Sequence, residues 1–241
     1  MTESKERLQR ENTHAKVILE SQEKNWGWAG AAGQMRWQRR VDFLTKDAKS
    51  NPDRVLEIGC GTGTFSKALR SAFRNKFIAI DLSEDLLNAA RKKYPEVEFC
   101  AMDAHHLDFE TGSFDLILGC SVLHHLDWRL ALTEFYNHLK MGGRIRFSEP
   151  NLMNPQIFLQ KKIPFLKKLA GDSPDESAFT KKQIEGVLQD IGFKEIKVAP
   201  FEFLHPSTPL PLIPTVIRIE KVISRSFINQ IAGSLSIEAT K

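Results

Sequence analysis

The residues best suited to chemistry lie at a glycine-rich turn and at the end of the following apolar segment. Glu57 precedes three glycines at alternate positions, Gly59, Gly61 and Gly63. A glycine is needed where the backbone must turn sharply and approach a ligand, because a Cβ would block that approach. Asp81 follows the turn by roughly 20 residues, the spacing at which a carboxylate binds ribose hydroxyls. This pattern predicts a nucleotide-binding site.

The charge and spacing of the turn narrow the class of ligand. Thr64 follows Gly63, so the third glycine falls one residue early for the dinucleotide fingerprint G-x-G-x-x-G. Glu57 would repel a pyrophosphate and attract a cation. We therefore expect a ligand that carries a ribose and a positive charge, and not NAD or FAD.

The segment from Glu57 to Gly63 resembles the first motif of the class I S-adenosylmethionine-dependent methyltransferases. Further motifs follow in family order over residues 50–150: Asp81 matches the ribose-binding acid, and Met102-Asp103-Ala104 matches the segment that meets the adenine. Residues 113–121 resemble the fourth strand and the turn beneath the sulfonium. The resemblance implies S-adenosylmethionine as the cofactor. The cofactor-binding residues that it implies are Arg36, Glu57, Gly59, Cys60, Gly61, Asp81, Leu82, Asp103, Ala104 and Cys120.

The amino-terminal segment, residues 1–45, is predicted to cover the cofactor. Residues 1–24 are highly charged, and residues 25–40 interleave tryptophans with small residues, as expected of a flap. Similar segments in the family often supply a basic residue to the cofactor carboxylate, and Arg36 is the candidate by position. The alternative is that this segment only docks a helix on the sheet, and for Arg39 and Arg40 we expect side chains that face water.

Candidate acceptor-site residues follow the fourth strand. The resemblance places His124 and His125 near the transferred methyl group, and an imidazole can accept a proton near neutral pH. We favour His124 as the catalytic candidate, because His125 is nearer to the start of the next helix. Glu149 and His205 are further candidates for substrate binding, with His124. A purely structural role, as a helix cap or in a polar niche, is the alternative for each histidine.

The elements that must position these residues alternate between strand and helix. This alternation predicts a doubly wound α/β fold with a mainly parallel seven-stranded sheet of the Rossmann-like methyltransferase type. The resemblance implies an antiparallel last strand. The predicted strands lie at 54–58, 76–81, 96–100, 114–119, 143–149, 193–200 and 232–239.

Two apolar insertions, residues 151–173 and 204–227, exceed what the sheet requires. One interpretation is that they pack on each other as a helical lid with its own small core. The other is that they line a pocket for a lipophilic acceptor, while Lys161, Lys162, Lys167 and Lys168 touch an anionic membrane surface. The two interpretations are compatible.

Length and composition favour one soluble domain over residues 1–241, with 41% hydrophobic and 27% charged residues. The net charge of +4 is too small to indicate nucleic-acid binding. Cys60, Cys100 and Cys120 suggest no disulfide framework, and the first residues lack the apolar core of a signal peptide. We therefore expect a cytoplasmic protein, and the sequence does not indicate its oligomeric state.

The sequence thus predicts a methyltransferase that transfers a methyl group from S-adenosylmethionine directly to a small, lipophilic molecule. Gly119-Cys120-Ser121-Val122 stands where a nucleic-acid amino methyltransferase would have Asn- or Asp-Pro-Pro-aromatic. We see no spacing of carboxylates that indicates a metal site. Two alternatives stay open: a non-catalytic S-adenosylmethionine-binding protein, and a methyltransferase that acts on a macromolecule.

Overall fold

The computed structural model describes residues 27–46, 48–169 and 177–241. The charged segment 1–24 and the part of the first insertion beyond residue 169 lie outside the described residues. Their predicted roles in the flap and the lid stay predictions.

Seven strands of the described chain form one sheet, in the order β3-β2-β1-β4-β5-β7-β6. β7 is antiparallel to both β5 and β6, while the remaining neighbours are parallel. The predicted fold class is confirmed. The strands are Arg54–Ile58 (β1), Lys76–Asp81 (β2), Glu98–Ala101 (β3), Phe114–Cys120 (β4), Leu139–Pro150 (β5), Lys194–Phe201 (β6) and Ser234–Thr240 (β7).

The α-helices of the described residues flank the sheet or extend from its edge. On one face, Phe135 and Leu188 belong to a large apolar core, and on the other Leu44, Leu69 and Leu87 belong to a second core. The helices are Ala31–Leu44 (α1), Ser66–Ala72 (α2), Glu84–Lys93 (α3), Trp128–His138 (α4), Pro155–Lys162 (α5), Pro164–Leu169 (α6), Lys181–Ile191 (α7) and Ile213–Ile223 (α8).

Local capping signals set several helix ends. The side chain of Ser83 accepts a hydrogen bond from the backbone N–H of Leu86 at the start of α3, and Asp127 caps α4 in the same way. Thr180 and Gln183 form a capping box at α7, which ends at Gly192 with φ of 109°. These interactions satisfy backbone groups that a helix leaves unpaired at its ends.

The start of β5 differs from the prediction. The strand begins at Leu139 and not at residue 143, because Leu139 pairs with Phe114 before an irregularity in the register. Leu139 is also fully buried. Tertiary packing therefore extends the strand through the Gly142-Gly143 pair that the sequence indicates as its beginning.

Both insertions leave the same edge of the sheet. β5 and β6 are each antiparallel to β7, so they run in the same direction, and the insertions follow their carboxyl ends. Hydrogen bonds join the insertions at their bases: the Asn154 side-chain amide donates to the Ile231 carbonyl at 2.8 Å. The insertions therefore lie beside the edge at which ligands bind in open α/β sheets.

Among the described residues, the two insertions share no buried apolar cluster, and the predicted lid core stays a prediction because residues 170–173 lie outside that part of the chain. Ile213 of the second insertion is buried with Leu204 and with Ala32 of α1. α5 of the first insertion has no buried residue. The second insertion therefore docks on the amino-terminal helix, and α5 leaves its apolar side chains exposed. None of the helices in the described part of the chain is long and apolar enough to cross a membrane.

Candidate functional site

The candidate site lies where the strand order reverses, between the carboxyl ends of β1 and β4. Gly59, with φ of 67°, begins the turn after β1, and a Cβ built there would lie 2.3 Å from Val122 Cγ2. Val122 belongs to the turn after β4. The two turns are thus in direct contact, which only a residue without a side chain allows at position 59.

Asp81 holds the glycine turn from the end of β2. Its Oδ2 accepts a hydrogen bond from the Gly61 N–H at 2.8 Å, and its Oδ1 accepts one from the Ser83 N–H at 2.9 Å. Burial raises the pKa of Asp81, and the backbone N–H groups of Ser83 and Gly61 oppose this rise. A carboxylate has about four acceptor positions, so these two bonds leave capacity for a hydroxyl ligand.

Glu57 is a buried carboxyl group with an unsatisfied oxygen at the same turn. Its Oε2 has no hydrogen-bond partner among the described residues. Burial raises the pKa of Glu57 to about 8, and the negative charge of Asp81 adds to this effect. A cationic group placed beside Glu57 would stabilise its ionised form. This unpartnered acceptor fits a cofactor that carries an amino group and a sulfonium.

Asp103 is fixed by a histidine whose tautomer the structure defines. His105 Nε2 accepts a hydrogen bond from the Asp127 N–H at 3.0 Å, so the ring proton lies on Nδ1. Nδ1 then donates to Asp103 Oδ1 at 2.8 Å, and the His105 N–H donates to the same oxygen at 3.0 Å. The ring connects the loop after β3 to the start of α4. This tie, which sequence reasoning missed, positions the candidate adenine segment that includes the buried Ala104.

The remaining cofactor candidates surround the turns. Cys60 is buried and its N–H donates to the Ile80 carbonyl at 3.0 Å, while Leu82 is half-buried beyond β2. Burial raises the pKa of the Cys120 thiol to about 11 at the end of β4. Cys120 is thus a neutral thiol at neutral pH, suited to packing and not to nucleophilic attack.

His124 and Glu149 form a buried pair below the turn after β4. His124 Nδ1 lies 2.8 Å from Glu149 Oε2. Glu149 Oε1 accepts hydrogen bonds from the backbone N–H groups of Val122 and Leu123 at 2.9 and 3.0 Å. Because Glu149 already accepts two backbone N–H groups, we assign its Oε2 as an acceptor too, which places the His124 ring proton on Nδ1 and leaves Nε2 without a proton.

Glu149 stays a predicted substrate-binding residue, and the structure shows it as the buried partner of His124. Glu149 is only 1% exposed, and its oxygens accept from groups of the neighbouring turn. It therefore orients His124 from beneath, and His124 is the member of the pair on the turn after β4. The sequence distance of 25 residues between them hides this pairing.

The three arginines of α1 bind acidic residues that follow β6. Arg36 Nε donates to Glu202 Oε2 at 2.9 Å, and Arg40 donates to the same oxygen at 2.6 Å. Arg39 forms two hydrogen bonds with Glu220, at 3.2 and 2.8 Å.

The expectation that Arg39 and Arg40 face water is wrong. Arg40 is 3% exposed and also donates to Ser234 Oγ, and Arg39 is paired with Glu220. A buried carboxylate at Glu202 favours a nearby cation, and the i, i+4 spacing places Arg36 and Arg40 on one face of α1. That spacing was a usable signal, but Glu202 is too distant in sequence to be recognised as the partner.

Arg36 and His205 lie where α1 meets the second insertion. Burial and the positive charge of Arg40 lower the pKa of Arg36, and Cys120 at the end of β4 is among the groups that act on it. Its predicted contact with the cofactor carboxylate stays a prediction. His205 is exposed, and its Nε2 lies 3.1 Å from Gln156 Nε2 of α5. Burial and the charge of Arg36 lower the pKa of His205. Its contact with Gln156 links the second insertion to the first.

Comparison with known proteins defines the class. Residues 55–143 match the family described as "Methyltransferase domain". A demethylmenaquinone methyltransferase of Chlorobaculum tepidum is 29% identical over 174 residues, which cover 62% of this chain and 69% of that protein. Its counterpart in Lactococcus lactis is 32% identical over 146 residues, 54% of this chain and 58% of that protein. The chain thus spans less than two thirds of the Lactococcus relative.

The fold has relatives among solved structures. A possible histamine N-methyltransferase of Thermotoga maritima superposes with a TM-score of 0.60 at 23% identity, covering 86% of this chain and 94% of that one. This similarity shows the fold alone. The match of residues 55–143 to the methyltransferase domain and the sequence relatives support the class I S-adenosylmethionine-dependent methyltransferase family for this chain. Its cofactor is S-adenosylmethionine.

Proposed function

We propose that the protein transfers the methyl group of S-adenosylmethionine to a small lipophilic acceptor. The observation that carries the acceptor class is the apolar surface of the two insertions, which leave the edge of the sheet at which the cofactor turn opens. Ten large apolar side chains there are between 40% and 88% exposed: Met153, Phe158, Leu159, Ile163, Phe165, Leu210, Leu212, Ile219, Val222 and Phe227.

The names of the sequence relatives support the same class of acceptor. Proteins called demethylmenaquinone methyltransferases are 29% and 32% identical to this chain, and that name specifies a lipophilic quinone as their acceptor. The family match over residues 55–143 includes the candidate cofactor residues from Glu57 to Cys120. Our proposal for the acceptor class therefore rests on the insertions of this chain. Our proposal for the proton acceptor rests on the pair of His124 and Glu149.

His124 supplies the proton acceptor in this proposal. Bound S-adenosylmethionine provides a methyl group already activated by the sulfonium, so the protein must chiefly position the acceptor in line. As the bond from the acceptor to the methyl carbon forms and the sulfur–carbon bond breaks, His124 Nε2 takes the acceptor proton. Glu149 keeps Nδ1 protonated and balances the positive charge that develops on the ring.

The test is a direct transfer assay with labelled S-adenosylmethionine. The acceptors are a demethylated naphthoquinol with a prenyl tail, the same ring without the tail, and histamine as a polar amine. We expect transfer to the tailed compound, with kcat/KM about tenfold or more above that of the tailless ring, because the tail adds apolar contact. Preference for histamine, or equal use of the tailed and tailless rings, would overturn the lipophilic assignment. Cofactor binding by calorimetry confirms that the assayed protein is folded.

A further inference from the structure

The exposed apolar side chains of the insertions are concentrated on short helical segments at one edge of the molecule. Phe165 is 72% exposed, Val222 79% and Phe227 88%. Single exposed apolar residues are ordinary on a protein surface, but a concentration of large ones marks an interaction site. We call the exposed surface of residues 155–167 and 210–231 the lid face.

The lid face is also basic. Residues 151–173 contain four lysines and one acidic residue, Asp172, and residues 204–227 contain three basic residues and one acidic residue, Glu220. Glu220 does not contribute to the outer surface, because it accepts hydrogen bonds from the Phe203 and Leu204 N–H groups and from Arg39. The lid face therefore combines apolar groups with an excess of positive charge.

α8 shows how these two properties are arranged. Ile213, Ile217 and Glu220 point toward the protein. At 100° per residue, the exposed Arg218 and Lys221 form one outer stripe of α8, and the exposed Ile219 and Val222 form the stripe next to it. A basic stripe beside an apolar stripe is the pattern of a helix that lies in the interface of an anionic membrane.

We propose that the lid face docks on an anionic phospholipid bilayer, where the protein takes up its lipophilic acceptor. The uptake of the acceptor rests on the proposed function, whereas the docking does not. Charge decides between a bilayer and a second copy of the chain. In a two-fold dimer each copy presents the same patch, so like charges would meet, whereas an anionic bilayer complements both the apolar and the basic groups.

The position of the lid face links docking to the site. His205 and Gln156 are in contact, and Asn154 is bonded to Ile231, so both insertions are held together beside the carboxyl edge of the sheet. Arg39 of α1 is bonded to Glu220 of α8, and Arg36 and Arg40 are bonded to Glu202. A bilayer in contact with the lid face would thus be adjacent to the opening of the cofactor crevice.

The experiment measures co-sedimentation of the full chain with vesicles of phosphatidylcholine alone or mixed with phosphatidylserine. We expect binding to the mixed vesicles that weakens as salt is raised. Phe227→Asp and Val222→Asp should each reduce that binding about tenfold. Arg218→Glu should reduce it roughly fivefold or more.

Matched controls come from exposed residues at the opposite edge of the sheet. Met141 is 82% exposed at the start of β5, and Lys92 is exposed near the end of α3. Met141→Asp and Lys92→Glu add the same charges and should leave vesicle binding unchanged. Light scattering of each protein measures the oligomeric state, and circular dichroism confirms folding.

Three results would overturn the proposal: no binding to mixed vesicles, equal binding to neutral and mixed vesicles, or a dimer that Arg218→Glu converts to a monomer. Failure of the proposed function is distinguished by an assay with acceptor dispersed in detergent. If the wild-type protein methylates the dispersed acceptor without binding vesicles, only the docking proposal fails. If Arg218→Glu retains transfer in detergent but loses it with acceptor in vesicles, the docking proposal is supported.

Discussion

The cofactor side of the crevice and the lid face differ in which groups they bury and which they expose. On the cofactor side, polar groups are buried and held by backbone donors, as Asp81 is by the Gly61 and Ser83 N–H groups. On the lid face, Val222 and Phe227 are apolar and exposed. In our proposals, the cofactor common to the family binds at a turn that hydrogen bonds hold in place, whereas insertions with an exposed apolar surface select the acceptor.

The largest expected effect is on turnover, from a substitution of His124 between the two regions. His124→Ala should lower kcat by about 10²–10⁴ with cofactor affinity unchanged, because it removes the proton acceptor. Turnover and calorimetric titration of the same variant measure both quantities. His106→Ala, at an exposed position in the loop after β3, is the control and should retain turnover.

A second variant distinguishes a catalytic role from a structural role for the pair of His124 and Glu149. Glu149→Gln keeps the shape of the side chain but replaces the carboxyl oxygen that contacts His124 Nδ1, so kcat should fall while cofactor affinity is retained. His124→Ala could instead lower stability while the remaining folded protein turns over normally. In that case the pair of His124 and Glu149 is structural, and His124 has no catalytic role between the cofactor side and the lid face.

The next effect tests whether the cofactor turn is rigid. Gly59→Ala should destabilise the protein by about 2–5 kcal/mol, since it adds backbone strain and a clash with Val122. Gly142→Ala is the matched control: its φ is 78° but nothing lies within 4 Å of an added Cβ, so only about 1–3 kcal/mol of strain is expected. Denaturant unfolding measures both. Equal destabilisation by the two variants would show that contact between the turns contributes nothing.

A smaller effect is expected in cofactor affinity. Asp81→Ala should weaken binding of S-adenosylmethionine by about 1–3 kcal/mol, the cost of losing a charged hydrogen-bond acceptor. Asp115 is a suitable control, because it binds Lys140 and the Arg54 N–H at the amino ends of the strands. Asp115→Ala should affect stability without changing affinity. Unchanged affinity in Asp81→Ala would place the ribose elsewhere.

The smallest effect is a proton linkage at Glu57. Burial raises its pKa to about 8, so the folded state favours the protonated acid, and stability is lost as pH rises toward 8. A cationic ligand favours the ionised form, so cofactor binding at pH 7 should release up to about one proton. Calorimetry in two buffers of different ionisation enthalpy measures this release. Glu57→Gln should abolish it, and a release of equal size in that variant would exclude Glu57 as its source.

Local signals predicted most of the sheet and several helix ends. The predicted ranges of β1 and β2 match the observed strands, and those of β3, β6 and β7 are displaced by one or two residues. Caps at Ser83, Asp127 and Thr180 form as their sequences indicate. These features depend on residues that are close in sequence. For that reason they could be predicted without knowledge of the fold.

The contacts that the sequence did not predict join residues that lie far apart in the chain. Arg40 and Glu202 are 162 residues apart, and His124 and Glu149 are 25 apart. The sequence identified His124 and Glu149 as candidates at the acceptor site but not as a pair, and it assigned Arg40 to water. A buried charge selects the nearest opposite charge in space, and nearness in space depends on how the strands are ordered.

The sequence by itself therefore determined the class of fold, the glycine turn and the carboxylates Glu57, Asp81 and Asp103, because periodicity and turn chemistry are local. Only the tertiary structure decided that His124 pairs with Glu149, that α1 is bonded to Glu202, and that ten large apolar side chains of the insertions are exposed. These outcomes depend on the neighbours that each side chain meets once the sheet has formed, and burial then sets the energy of every charge placed there.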